Sequence, residues 1–245
     1  MIRRSVWLAL FVGGCGLVNS NLLAVDYTFD VQHFMAALGD SSTSSDTVPV
    51  MACDPTAATD VCASVMLPTS TMAQLSCDAP TKQCIATAQV RLPYMVDLSQ
   101  QMLPPSVVQY TVDGVSVKKI AYWIANDKFN TALPQIDLYV APLAAKDETD
   151  PQATLVGSMA MLPVMATACA DDVDTKGDSA AGGDVVCDLK LTDSGKSALQ
   201  GFVKAYQTPF QFIAHATVIA RGGEPLPSGS IDYYVHPSVS FSLLK

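Results

Sequence analysis

Several sets of residues in this sequence have the side-chain types that do chemistry. Asp172, Asp174 and Asp178 place acids along a short stretch, with Gly177 available for a turn. Calcium is bound by six to eight oxygens, so clustered carboxylates are suitable donors. Lys176 stands where a further ligand belongs, however, and Gly183 occupies the position of the closing bidentate glutamate. The three acids are therefore a weak calcium candidate beside the plainer reading, a solvated acidic loop. Asp193-Ser194-Gly195-Lys196-Ser197 ends with the residue types of a phosphate-cradling loop. That motif needs a glycine five positions before Gly195, and residue 190 is Lys190, so a polar helix cap is expected instead.

His215 and His236 both fall on the polar phase of predicted strands. On one sheet, with Asp232, they would form a pH-sensitive or catalytic cluster; the alternative is ordinary sheet-surface histidine. The chain has neither the G-x-S-x-G of a nucleophile elbow nor the H-E-x-x-H of a zinc protease. No catalytic residue and no cofactor follows from the sequence, and the reading leans away from an enzyme. The ten methionines suit either an adaptable binding surface or gap-filling in an irregular core.

Seven cysteines are present. Cys15 lies near the start; Cys53, Cys62, Cys77, Cys84, Cys169 and Cys187 remain as an even set, which in an exported chain reads as disulfides. Clustering suggests that neighbours pair: Cys53 with Cys62, Cys77 with Cys84, and Cys169 with Cys187. Zinc is a poor reading, because no pair has knuckle spacing and His33, His215 and His236 are distant in sequence.

The elements that must position these residues are strands. Apolar residues alternate with polar ones at Val25, Tyr27, Phe29 and Val31; at Ala88, Val90, Leu92, Tyr94, Val96 and Leu98; at Ile136, Leu138 and Val140; and at Phe210, Phe212, Ala214, Ala216 and Val218. The run Ile231, Tyr233, Val235, Val239, Phe241 and Leu243 closes the chain opposite Asp232, Ser238, Ser240 and Ser242. A period of two gives one buried and one wet face, the mark of antiparallel sheet. Shorter candidates lie at 106–112, 115–125, 154–161 and 185–191. The expectation is a mainly β, antiparallel two-sheet β-sandwich of immunoglobulin-like architecture, built from 25–31, 85–125, 135–161, 185–191 and 209–243. Leu199, Phe202, Val203 and Tyr206 at helical spacing predict one helix over about 194–206, capped by Thr192 or Ser194 and covering an open end or edge. A short helical turn is expected at 33–38, stopped by Gly39. The segments 39–84 and 166–184 read as long loop insertions bearing the disulfides, within a single domain over 21–245.

The first 20 residues read as a removable signal. Arg3 and Arg4 precede a low-charge run from Ser5 to Val18. That run is shorter than the about 20 residues a membrane-spanning helix needs. Val12-Gly13-Gly14-Cys15 resembles the lipobox of bacterial lipoproteins, although the commonest form begins with Leu. The resemblance implies cleavage before a lipidated Cys15. Gly16, where aspartate would signal inner-membrane retention, implies outer-membrane sorting, facing either the periplasm or the exterior. The alternative is simple cleavage after Ser20 and a secreted or periplasmic protein.

Without residues 1–14 the chain loses Arg3 and Arg4, leaving 12 basic against 23 acidic residues, a charge of −11. Such a surface repels nucleic acid. The expected partners are the membrane, through an N-terminal lipid, and an envelope protein. The expected role is a non-catalytic envelope lipoprotein acting as scaffold, adhesion or binding module. The rivals are a lipid or hydrophobic-ligand carrier with its ligand between the sheets, and an extracytoplasmic hydrolase with a loop-built site.

Overall fold

The structure is a computed structural model; it describes residues 22–29, 31–38, 46–65, 67, 73–100, 107, 109, 111–125, 127–132, 134–161 and 187–244. Two antiparallel sheets face each other across one main apolar core, as the two-residue period requires. The strands of the first sheet are β1 (Leu22–Thr28), β2 (Gln32–Leu38), β5 (Thr111–Ala125), β8 (Cys187–Asp188) and β11 (Gly229–Leu244). The second contains β3 (Ala73–Asp78), β4 (Gln83–Val96), β6 (Ile136–Pro142), β7 (Thr154–Met159), β9 (Lys190–Leu191) and β10 (Phe210–Arg221). β11 is the spine of the first sheet, between β5 on one side and β1 and β2 end to end on the other. β10 is the spine of the second, between β4 and β6.

Every residue of the apolar face expected in 231–243 is buried, from Ile231 and Tyr233 through Phe241 and Leu243. The same holds for Phe210, Phe212, Ala214, Ala216 and Val218. Thr111 and Val112 of the candidate 106–112 join 115–125 in one strand, β5, whereas Val107 and Gln109 are helical, which corrects the strand expected over that stretch.

The expected helical turn at 33–38 is instead strand β2, and the reason is tertiary. Phe34, Ala36 and Leu38 alternate with His33, Met35 and Ala37, and the chain pairs with β11. The inward phase also slips between β1 and β2. Four steps of chain, Thr28 to Gln32, face three, Ser238 to Val235. Such an extra residue is a bulge, and it reverses which side chains point inward. Gln32 is consequently buried and Val31 exposed.

Residues 73–78, expected within a loop, form β3, which pairs with the first half of β4. There the cover of the inner face changes hands. Segment 46–65, called the strap here, lies over a second small core of Val48, Cys62, Leu75, Cys84, Ala86, Ala220 and Leu226. Its backbone is tied to β4 at Ala52–Gln83 and to the β10–β11 connection at Thr47–Pro225. The helix α1 (Asp193–Lys204) buries Gly195, Leu199 and Val203. It packs on β5 of one sheet and on β6 and β7 of the other, closing that edge of the sandwich as expected. Among the described residues no helix is long and apolar enough to cross a membrane.

Candidate functional site

The disulfides do not join sequence neighbours. Cys53 is bonded to Cys77 and Cys62 to Cys84, with Cα separations of 5.7 and 5.5 Å. This corrects the expected 53–62 and 77–84 pairs: short loops are not the ones closed, because the strap folds back over the β3–β4 hairpin. Asp60 fixes that crossing, its Oδ1 accepting from the Cys62 amide at 2.9 Å and its Oδ2 from the Cys77 amide at 3.1 Å. Cys187 is also disulfide-bonded. Cys15, Cys169, Asp172, Asp174 and Asp178 lie outside the described residues.

The three histidines do not meet. His215 is on β10 and His236 on β11, so they belong to different sheets. Asp232 takes a different histidine: His33 Nε2 lies 2.9 Å from its Oδ1. On the outer face of the first sheet, His33, Tyr234 and Trp123 occupy directly opposed positions of β2, β11 and β5. Their rings stack at centroid distances of 4.7 and 5.2 Å. The faces of Tyr234 are thereby covered by its neighbours, the offset-stacking geometry that aromatic pairs favour.

His215 has its own constellation on the outer face of the second sheet. Arg91 of β4 and Asp137 of β6 stand directly opposite it on either side. The β6–β7 connection folds over this face and inserts Glu148, whose side chain is 8% exposed. Arg91 Nε donates to Glu148 Oε2 at 2.8 Å and to Oε1 at 2.9 Å, and His215 Nε2 lies 3.5 Å from Oε1. Burial pushes the Glu148 carboxyl up. The hydrogen bonds from Arg91 and its own amide, with the charges of His215 and Arg91, outweigh that and hold it below the usual carboxylate range. Gln211 Nε2 secures the same connection by donating to the carbonyls of Pro142 and Ala145 at 3.0 and 2.6 Å. Asp137 Oδ1 accepts from Ser158 Oγ at 2.6 Å and from Gln135 Nε2 at 2.8 Å. Nothing in the sequence marks this group: Arg91, Glu148 and His215 come from three separate segments and share no spacing motif.

The Gly-Lys-Ser segment serves the helix. Thr192 Oγ1 accepts from the Gly195 amide at 2.9 Å and donates to the Leu155 carbonyl at 2.7 Å, the expected polar cap. A Cβ on Gly195 would lie 2.3 Å from Val156 Cα, so the glycine is there for close approach to β7.

Two cavities between the sheets, among the described residues, are small. One lined by Phe34, Leu138, Ala214 and Tyr233, and another by Phe29, Leu199 and Phe212, each hold about 20 Å³. That is room for a water and far short of a lipid chain. The Tyr233 hydroxyl is buried at the first without a hydrogen-bond partner, and burial raises its phenol far above the ordinary value. A cavity of about 260 Å³ with a mixed polar and apolar lining opens where residues 187–191 cross between sheets, among Tyr122, Gln135, Ser158, Met159, Asp188 and Lys190.

No protein-family model, curated protein or solved structure matches this chain.

Proposed function

We propose that this chain is a non-catalytic cell-envelope lipoprotein, held to the outer membrane by a lipid on Cys15 and acting as a scaffold, adhesion or binding module. The observation that carries the non-catalytic reading is Glu148. It is buried, held ionised and engaged by Arg91 through both oxygens. A general acid must carry a proton near the working pH, and a general base needs a free lone pair aimed at substrate. Glu148 is placed instead to pin a surface connection to the sheet. Export is supported by the Cys53–Cys77 and Cys62–Cys84 bonds, which persist in oxidising compartments. The lipobox-like segment supports the anchor.

The test is expression of the full chain in a bacterium fed a clickable fatty acid, with envelope crosslinking in parallel. The wild type should be labelled and membrane-bound, and Cys15→Ser unlabelled and released or unprocessed. One envelope protein should recur among the crosslinks. An unlabelled, fully soluble wild type would overturn the anchor. Turnover of a peptide, ester or glycoside by purified protein, lost in a folded Glu148→Gln variant, would overturn the non-catalytic role.

A further inference from the structure

The two disulfides of the strap are adjacent and unequally accessible. Cys62 and Cys84 are both 0% exposed, whereas Cys53 and Cys77 are only partly buried. The sulfurs of Cys53, Cys62 and Cys84 lie within 4.8 Å of one another. The Cys53–Cys77 bond is therefore the more open of the two to an external thiol. Thiol–disulfide exchange needs direct attack of a thiolate on sulfur, so access governs the rate.

From this juxtaposition we infer that Cys53 is the internal relay through which the buried Cys62–Cys84 bond exchanges. A dithiol reductant supplies the first step. Its thiolate attacks the Cys53–Cys77 bond and forms a mixed disulfide. Its second thiol then closes the reductant's own disulfide, leaving Cys53 and Cys77 reduced by two electrons and two protons. In the second step the Cys53 thiolate attacks a sulfur of the buried bond. A Cys53–Cys62 or Cys53–Cys84 bond forms, Cys62–Cys84 breaks, and the displaced cysteine leaves as a thiolate that takes up the proton Cys53 released. No net electron is consumed in this step.

Backbone contacts keep Cys53 in range once its first bond is open. Its amide donates to the Lys82 carbonyl at 3.0 Å, and the Cys84 amide donates to the Met51 carbonyl at 3.0 Å. Asp60 still joins the amides of Cys62 and Cys77. When attack falls on Cys62, the freed Cys84 faces the already reduced Cys77 across the β3–β4 ladder. The product is then a strap closed by one bond beside an opposed pair of thiols, a form able to pass its electrons to a second disulfide.

The experiment uses the full-length folded protein, brief treatment with limiting dithiothreitol, an alkylating quench, and mass mapping without further reduction. The expected product carries Cys53 joined to Cys62 or Cys84, with Cys77 alkylated. Alkylation of both Cys53 and Cys77 with Cys62–Cys84 wholly intact would overturn the relay, and this arm needs no variant. In a folded protein carrying both Cys53→Ser and Cys77→Ser, which leaves no free thiol beside it, the buried bond should open at least tenfold more slowly than in the wild type. Equal rates would likewise overturn it.

Discussion

Cys77 and Cys84 stand opposite each other in the β3–β4 ladder and are not bonded to one another. Each reaches instead to the strap, Cys77 to Cys53 and Cys84 to Cys62. The two bonds span 24 and 22 residues, so each restrains an unfolded loop long enough to stabilise by roughly 3 kcal/mol in the chain-entropy picture. Replacing Cys62 and Cys84 together by alanine should lose about that amount, plus the contacts of two fully buried side chains. Replacing Cys53 and Cys77 should lose less. Urea midpoints of the two double variants check the order, and a larger loss from the outer pair would contradict this account of the strap.

Gly195 and Gly201 sit on one helix and should respond oppositely to alanine. The added methyl at Gly195 overlaps the Val156 backbone, which can move only if helix and sheet part. A loss of about 2–4 kcal/mol is expected, in the range of severe overpacking. At Gly201 nothing lies within 4 Å of the added atom, so alanine should stabilise by about 0.5–1 kcal/mol through helix propensity. Thermal unfolding of both variants is the measurement. A destabilised Gly201→Ala would show that the helix seats differently.

The register of β11 is tested by charge. Val239 is 1% exposed, and Val239→Asp places a carboxylate in the core, which should cost several kcal/mol. Ser242, half-buried and opposite Ala24 and Gly114, is the better outward control than Ser240, which faces Asp26. Ser242→Asp should cost below about 1 kcal/mol. Similar losses in chemical denaturation would place the strand one residue out of register.

Acid should weaken the wild type partly through Glu148. Its carboxyl titrates below the ordinary 4.5 in the folded protein, so the unfolded chain binds its proton first as pH falls. The stabilisation is fully present above the ordinary value and disappears as pH drops through the lower folded one. Glu148→Gln should cost about 1–3 kcal/mol at neutral pH, as loss of a charged hydrogen-bonded group does, and should flatten the acid limb. Denaturant midpoints from neutral pH to about pH 3 decide this. An unchanged acid limb in the variant would remove Glu148 from the cause.

The sequence by itself determined the fold class, because alternation can satisfy only a sheet with one buried face. It also determined the inward face of β11 and of β10, and the helix α1, whose cap and apolar spacing are local properties. Whatever depended on chain returning from a distance was decided by tertiary structure. Residues 33–38 look equally fit for a helical turn until β11 supplies the hydrogen bonds. Cys77 bonds Cys53 because the strap crosses the hairpin there, a geometry invisible in sequence spacing. His215 acquires Glu148 and Arg91 from segments 67 and 124 residues before it in the chain, brought together only when β4, β6 and β10 align. Local preference is written in neighbouring residues, whereas partners across strands are chosen by register, and register is set by the burial of the whole core.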